Sequence, residues 1–262
     1  MPTVTSHLPG TLCWLDLTTS DADAARAFYG ALLGWTFEVF GPEMGFYSFA
    51  FNAGRAVGGL GTPPPGMSVP PNWTPYFCVV DAAATIAKIQ ANGGNLLFGP
   101  MDIPEQGVQA VLTDPTGAAF GLWQPKPFPG AGVLDEAGSL CWAEVNTREA
   151  PRARDFYCEV FGLHAGKVPG DDIEYYTLSE SEGGKSHAGV MQMTAEWGEL
   201  PPHWMVYLAV DDVDAAVARV QELGGKAHHG PFDTPYGRIA VVADPQGAVF
   251  SIMQPSQLAL ES

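Results

Sequence analysis

Positively charged side chains are scarce in this 262-residue sequence. It contains 12 Lys and Arg residues against 29 Asp and Glu residues, which gives a net charge of −17. Such an acidic surface repels the phosphates of nucleic acids and the anionic membrane surface, both of which bind to basic patches. The sequence therefore predicts a protein that binds neither nucleic acid nor a membrane.

Long apolar runs are also missing. No segment approaches the roughly 18 to 20 residues that cross a bilayer, and residues 1–10 lack the basic start and apolar core of a secretory leader. We therefore expect a cytoplasmic protein. Hydrophobic residues make up 46% of the chain and charged residues 16%, which is apolar enough for a packed interior.

Cysteine is rare as well. The four cysteines, Cys13, Cys78, Cys141 and Cys158, lie in apolar segments and show no C-x-x-C spacing. That pattern favours buried thiols over a zinc site or a disulfide framework.

The sequence does contain an internal repeat that covers almost its whole length. Residues 11–17, TLCWLDL, match residues 139–145, SLCWAEV, and an Asp-Pro-x-Gly-Ala segment occurs at 114–118 and again at 244–248. The repeat predicts one module at residues 9–125 and another at 138–255, joined by a linker rich in Pro and Gly at 126–137.

Hydropathy patterns indicate the same elements in each module: a strand, a helix, two strands, a second helix and two more strands. Residues 12–17 alternate as a strand does, with Cys13, Leu15 and Leu17 on an apolar face and Leu12, Trp14 and Asp16 on the other. The Asp-Pro-x-Gly segment predicts a hairpin turn in which Gly supplies a positive φ. The predicted fold class is α+β.

The motifs resemble those of the vicinal oxygen chelate superfamily, which includes glyoxalase I, extradiol dioxygenases and bleomycin-resistance proteins. They are the first strand, the F-Y-x-x-x-x-G-W segment at 28–35, V-D-D-x-D at 210–214 and the repeated D-P-x-G-A. The sequence is most similar to two-module glyoxalase-like proteins of actinobacteria that are labelled hydroxylases. The resemblance implies two tandem βαβββ modules whose curved mixed sheets form a cleft.

Members of that superfamily bind a metal ion through His or Glu on the cleft face. The matching positions here hold Trp14, Thr74 and Gly121 in the first module and Trp142, Met205 and Ser251 in the second. These residues do not form a ligand set for a divalent ion, so we expect neither a metal nor another cofactor. A shifted metal site remains an alternative, with Asp16 or Glu144 as ligands together with His187 or His203.

Asp16 and Glu144 are the candidate catalytic residues, because the repeat places them at equivalent positions, which we expect on facing sheets of one cleft. Two carboxyl groups in an apolar pocket acquire unequal pKa values, so that one serves as acid and the other as base. The alternative is a structural role, with each carboxylate bonded to backbone amides or paired with Arg26, Arg55 or Arg238.

Aromatic residues are the candidate substrate-binding groups. Strand alternation places a set of them on the cleft face, where they would form flat walls for a planar ligand: Trp14, Trp142, Tyr76, Tyr207 and Trp123. His203 lies at the entrance to a strand, where it could reach the mouth of the cleft. The alternative is that the aromatic rings fill a shrunken cleft and that His203 is a structural donor.

The resemblance and these residues together predict a protein that binds and converts a small carbonyl-bearing or aromatic, polyketide-like metabolite without a metal. The activity would be that of a glyoxalase-like lyase or a hydroxylase-type tailoring enzyme. One alternative is a non-enzymatic protein that sequesters its ligand, and another is a lyase or dioxygenase with the shifted metal site. The identity of the ligand and the choice between monomer and homodimer remain open.

Overall fold

The structure is a computed structural model that describes residues 3–63, 66, 69–170 and 173–256. The first half consists of β1 (Leu12–Thr18), α1 (Ala22–Leu33), β2 (Thr36–Val39), β3 (Ser48–Asn52), β4 (Arg55–Gly61), β5 (Asn72–Cys78), α2 (Ala82–Ala91), β6 (Asn95–Ile103), β7 (Gly107–Thr113) and β8 (Ala119–Pro125). The second half consists of β9 (Leu140–Thr147), α3 (Ala150–Phe161), β10 (His164–Lys167), β11 (Tyr175–Ser179), β12 (Ser186–Gln192), β13 (His203–Ala209), α4 (Val213–Glu222), β14 (Lys226–Thr234), β15 (Gly237–Ala243) and β16 (Val249–Pro255).

Each half forms one eight-stranded mixed sheet. The strand orders are β2-β3-β4-β1-β5-β8-β7-β6 and β10-β11-β12-β9-β13-β16-β15-β14. The α+β class and the tandem duplication are therefore confirmed, and each half contains the βαβββ motif twice. Each half has more strands than the hydropathy pattern indicated, partly because the edge strands β6 and β14 are largely exposed and show no apolar alternation.

A β-bulge in β1 changes the predicted alternation at its start. Cys13 is unpaired between Leu12 and Trp14, so two residues of β1 occupy the space of one. Leu12 consequently packs into the main core and Cys13 lies with Trp14 on the opposite face. The prediction for Leu12 and Cys13 is therefore wrong. The duplicate strand β9 has the same bulge at Cys141.

The main core lies between the two sheets. It includes Leu15 and Leu17 from β1 and Val145 from β9, together with apolar side chains of all four helices. The rings of Phe77 on β5 and Trp204 on β13 are 5.5 Å apart, which shows that the two sheets meet through their helix-bearing sides. The other face of each sheet points away from the partner sheet.

We call these outward faces the first cup and the second cup. The first cup belongs to the β1–β8 sheet and contains Trp14, Asp16, Tyr47, Phe49, Tyr76 and Trp123; the second belongs to the β9–β16 sheet and contains Trp142, Glu144, Asn146, Tyr175, Met205 and Tyr207. The first sheet is curved, because Phe128 contacts both Phe49 and Trp123, whose strands are four positions apart in the sheet.

Two polar relays connect the halves across the main core. The Tyr157 hydroxyl donates to Asp114 Oδ2 at 3.0 Å and accepts from Trp204 Nε1 at 2.9 Å. In the duplicate relay, the Tyr29 hydroxyl donates to Asp244 Oδ2 and accepts from Trp73 Nε1, both at 3.1 Å. In each relay, a tyrosine from the first helix of one half binds the turn aspartate of the other half.

The same aspartates also form the predicted hairpin turns. Asp114 Oδ1 accepts hydrogen bonds from the backbone amides of Thr116, Gly117 and Ala118. Gly117 has a φ of 103° and its counterpart Gly247 a φ of 101°, the conformation that favours glycine. The Asp-Pro-x-Gly prediction is therefore confirmed.

The segment between the two sheets packs against the first half. β8 ends at Pro125 and β9 begins at Leu140, and the amide of Ala131 donates to the Cys13 carbonyl at 2.7 Å. The exact bounds proposed for the modules and the linker stay a prediction. All four cysteines are free thiols, and no helix of the described residues is long and apolar enough to cross a membrane.

Replacing Tyr157 with Phe should test the relay. The change leaves Asp114 Oδ2 and Trp204 Nε1 without their buried partner, so we expect a loss of about 1 to 3 kcal/mol in the free energy of unfolding. Urea denaturation would measure it, with the exposed Tyr236→Phe as the control. A loss for Tyr157→Phe below about 0.5 kcal/mol would contradict a stabilising role.

Candidate functional site

Glu144 is the centre of a hydrogen-bond network in the second cup. Its Oε2 accepts from the Tyr175 hydroxyl and its Oε1 from the Tyr207 hydroxyl, both at 2.8 Å. Trp142 Nε1 donates to the Tyr175 oxygen at 2.9 Å. The carboxyl group is almost completely buried, with 4% of Glu144 exposed, and both of its oxygens are bonded to phenols.

Asp16 has a similar set of neighbours in the first cup. Its Oδ1 accepts from the Tyr47 hydroxyl and from Trp14 Nε1, the latter at 2.9 Å. Tyr76 lies opposite Trp14 on the neighbouring strand, as Tyr207 lies opposite Trp142 in the second half. The duplication has therefore preserved a carboxyl group held by aromatic donors in both cups.

A glycine makes room for one tyrosine in each network. A Cβ atom at Gly189 would overlap the Tyr175 hydroxyl, and a Cβ atom at Gly59 would overlap the Tyr47 hydroxyl. The two glycines lie beside Glu144 and Asp16 on the adjacent parallel strands. Any side chain at these positions would displace the phenol from the carboxyl group.

Asp16 and Glu144 do not share a cleft. Asp16 lies on the face of β1 opposite Leu15 and Leu17, and Glu144 on the face of β9 opposite Val145, whereas those apolar residues form the core between the sheets. The expectation of facing carboxylates is therefore wrong. It assumed that equivalent positions in a repeat face each other, but the helix-bearing sides of the sheets are the ones that pack together.

The two cups differ in how much of their aromatic lining is accessible. In the first cup, Trp14 and Tyr76 are 4% exposed and Trp123 is 5% exposed. Trp14 contacts the rings of Phe49 and Phe128. The rings in the first cup therefore pack against one another, as one of our alternatives proposed.

In the second cup, Trp142 and Tyr207, the counterparts of Trp14 and Tyr76, are only partly buried. Across the described ranges of the chain, Trp142 has no ring-ring contact. Thr177 and Met253 take the places of Phe49 and Trp123 in the repeat. The aromatic residues proposed for one site are thus divided, with Trp14, Tyr76 and Trp123 in one cup and Trp142 and Tyr207 in the other.

The remaining polar candidates lie outside the Glu144 network. His203 Nδ1 bonds the Pro201 carbonyl at 2.9 Å at the end of the second cup, and His187 pairs with Glu180. The three arginines considered as structural partners pair with other acids: Arg26 with Asp23, Arg55 with Glu136 and Arg238 with Asp214. The two carboxylates are thus held by aromatic donors rather than by ion pairs.

Burial dominates the acid-base properties of both networks. It raises the pKa of Glu144 and of Asp16 above the ordinary values, although hydrogen bonds from tyrosine and tryptophan act in the opposite direction. Burial, with the nearby Glu144 carboxylate, also raises the pKa of Tyr175 and Tyr207 well above the usual range. Glu144 can therefore act as a base closer to neutral pH than an exposed glutamate.

The metal positions implied by the resemblance do not suit an ion. Trp142 and Met205 occupy two of them in the second cup, and both oxygens of the adjacent Glu144 are bonded to tyrosines. No three His, Cys, Asp or Glu residues converge in a way that could hold a metal among the residues described above. The geometry therefore gives no support to a shifted site built from Asp16, Glu144, His187 or His203.

Four residues of the cups were not predicted: Tyr47, Phe49, Tyr175 and Asn146. Tyr47 immediately precedes β3 and Tyr175 begins β11. The role of these tyrosines becomes evident only when β4 and β12 bring Gly59 and Gly189 beside them. Asn146 follows Glu144 by two residues, and strand alternation could have placed it on the same face.

This chain belongs to the Glyoxalase/Bleomycin resistance protein/Dioxygenase superfamily, whose model matches residues 11–122 and 139–252. It is 38% identical to CFP32 of Mycobacterium tuberculosis over 98% of this chain and 99% of that protein. CFP32 is named as a glyoxylase. This chain is also 36% identical to the anthracycline biosynthesis protein DnrV of Streptomyces peucetius, over 96% of its own length and 95% of that protein.

Solved structures with this fold include enzymes of two kinds. The 2,3-dioxygenase LapB from Pseudomonas sp. KL28 matches with a TM-score of 0.65 at 14% identity, covering 97% of this chain and 94% of that one. The Mn(II)-bound glyoxalase from Novosphingobium aromaticivorans matches with a TM-score of 0.64 at 16% identity, covering 94% and 82%. At these identities the similarity shows the fold alone.

The raised pKa of Glu144 predicts how stability depends on pH. Over a range of pH, Glu144 keeps its carboxyl proton in the folded protein but has already released it in the unfolded chain. The contribution to stability is therefore complete below the unfolded pKa of about 4.3 and is lost as pH rises through the folded value. The amide introduced by Glu144→Gln does not ionise, so this variant should gain stability relative to the wild type as pH rises above about 4, by at most about 1.4 kcal/mol per pH unit, until the folded wild type also releases this proton.

Urea unfolding at several pH values would measure this difference. Glu182→Gln, at an exposed acid, is the matched control and should follow the wild type. A stability difference between Glu144→Gln and the wild type that is independent of pH would show that the folded and unfolded chains hold this proton equally.

Proposed function

We propose that this protein binds a flat, oxygenated aromatic metabolite in the second cup and that Glu144 accepts a proton from it through Tyr207. The observation that carries the proposal is the difference between the two cups. Trp14 and Tyr76 are buried, Trp14 against the rings of Phe49 and Phe128, whereas their counterparts Trp142 and Tyr207 are partly accessible. A duplicated site that is filled in one copy and accessible in the other supports ligand binding in the accessible copy.

The lining of the second cup suits a planar apolar molecule with a few polar atoms. Trp142 uses its Nε1 for Tyr175, which fixes the orientation of the indole while its ring remains available for stacking. Met205 and Met253 lie on the same side of the sheet, and thioethers make favourable contacts with aromatic rings. Binding sites for small ligands commonly combine such apolar walls with a small number of convergent polar groups.

Glu144 would receive the proton indirectly. The Tyr207 hydroxyl donates to Glu144 Oε1, and its oxygen can still accept a hydrogen bond from a phenolic or enolic hydroxyl of the ligand. When that hydroxyl ionises, its proton passes to the Tyr207 oxygen while the Tyr207 proton passes to the carboxylate. The raised pKa of Glu144 favours this transfer.

The relatives support the chemical class of the ligand. DnrV is named as an anthracycline biosynthesis protein, and the chain covers nearly all of it at 36% identity. An aromatic polyketide has the flat shape and the hydroxyl and carbonyl groups that the second cup could bind. We extend that class to this protein as part of the proposal.

Calorimetric titration with 1-hydroxyanthraquinone would test the proposed site. Trp142→Leu should weaken binding at least about tenfold, because it removes the stacking surface, whereas the matched Trp14→Leu should leave the affinity of the folded protein unchanged. Glu144→Gln should bind the probe but suppress the change in its visible spectrum that reports ionisation of the phenol. Equal effects of the two tryptophan variants would count against the second cup as the site.

The second candidate function is sequestration of the same ligand without turnover. It is favoured by the burial of Glu144, which is 4% exposed and has a tyrosine hydroxyl bonded to each oxygen, so that little of the carboxyl group is open to direct contact with a ligand. Under this alternative, Trp142→Leu weakens binding as before, but Glu144→Gln changes neither affinity nor the spectrum of the bound probe.

The proposed function requires no metal. Protein purified without chelator should contain well under one transition-metal ion per chain, because Trp142, Met205 and Ser251 replace the ligands of the superfamily. Elemental analysis would test this. About one zinc, iron or manganese per chain that disappears in Glu144→Ala would instead establish the shifted metal site.

A further inference from the structure

The second cup contains a buried amide side chain that has no partner. Asn146 is 1% exposed, and neither its amide nitrogen nor its carbonyl oxygen makes a hydrogen bond to any described residue. Leaving one buried polar group unsatisfied is costly, and such groups in native proteins call for an explanation. Asn146 has both a donor and an acceptor unsatisfied.

Asn146 extends the line of side chains that forms the proposed site. Trp142, Glu144 and Asn146 alternate along β9 on the same face, so the Cα atoms of the first and last are about 13 Å apart. A ligand of three or four fused rings that stacks on Trp142 and passes over Glu144 could reach Asn146. The amide is thus in line with the groups already proposed to bind.

The end of the cup near Asn146 is covered by the segment that precedes β13. Arg148 donates to the carbonyls of Gly198 and Leu200, which holds this segment across the end of β9. The ring of Trp197 is 6.2 Å from that of His203, and His203 is paired with Asn146 in the sheet. We therefore expect a ligand to reach Asn146 by moving the His203 ring, which neighbours it in the sheet.

We infer that Asn146 is a specificity-determining residue that recognises an amide edge, a cyclic amide or carboxamide on the aromatic ligand, through paired hydrogen bonds. The inference rests on the proposed function. The Asn146 side chain presents an N–H donor and a C=O acceptor side by side. A complementary ligand must therefore present an acceptor opposite the N–H and, beside it, a donor opposite the C=O. An amide in the ligand with its N–H and C=O on one side meets this requirement.

The first cup shows that the amide is not needed for the fold. The position on β1 that corresponds to Asn146 in the repeat is Thr18. The strand pairing agrees, because Thr18 pairs with the first residue of β5 and Asn146 with the first residue of β13. An asparagine is therefore dispensable for this strand and this sheet. The amide beside Thr18 in the first cup, that of Asn72, donates to Thr74 Oγ1 at 3.0 Å. The unpartnered amide of Asn146 in the second cup therefore supports a role in binding.

Calorimetry with a matched pair of probes would test the inference. 6(5H)-Phenanthridinone is a flat tricyclic cyclic amide, and its N-methyl derivative keeps the rings and carbonyl but lacks the donor. The wild type should prefer the first by at least about tenfold. Asn146→Leu and Asn146→Thr should lose this preference while binding the N-methyl compound as the wild type does, and Thr18→Val should retain it.

Thermal unfolding supplies a second readout. If the amide has no partner in the free protein, Asn146→Leu should melt at the same temperature as the wild type or higher. A wild-type protein without preference, an Asn146 variant that retains it, or a clear drop in the melting temperature of Asn146→Leu would each overturn the inference.

The result would also separate the inference from the proposed function. If 1-hydroxyanthraquinone binds in a Trp142-dependent manner and the phenanthridinone pair shows no discrimination, only the inference fails. If none of the three aromatic compounds binds, the proposed function and the inference both fail.

Discussion

The structure depends on two buried tyrosine hydroxyls that join the halves. Tyr29 and Tyr157 each accept from a tryptophan of their own half and donate to an aspartate of the other. Because these groups are out of contact with water, each must be paired within the protein. Each aspartate also closes a turn in its own half, so the local structure of one half and its packing against the other rely on the same side chain. We expect the halves to unfold together.

That interface determines where the two carboxyl groups lie. Packing the helix-bearing sides together leaves the opposite side of each sheet facing outward, and the two carboxyl groups end up in separate environments. Each keeps the same arrangement of a carboxyl group, aromatic donors and a space-making glycine. The chemistry of each cup is thus set within one half, while the stability of both is set by the contacts between halves.

Much of the fold could be predicted because the sequence repeats its motifs in order. Strand alternation correctly placed Trp14 with Asp16, since local geometry determines it. The bulge at Cys13 could not be predicted, because it depends on pairing with β5, which is distant in the sequence. The roles of Tyr47 and Tyr175 depend on glycines brought close by adjacent strands. The single-cleft hypothesis failed because a repeat shows which residues are equivalent but not which faces of the sheets meet.

The outward orientation of the cups has a consequence for how such a protein can evolve. Substitutions in one cup touch neither the interface nor the other cup, so each copy can change independently after the duplication. Under the proposed function, the first cup can fill with rings such as that of Phe128, because the second cup still binds the ligand. The first half would then persist as the folding partner of the second, and new ligands could be acquired by changing a single sheet.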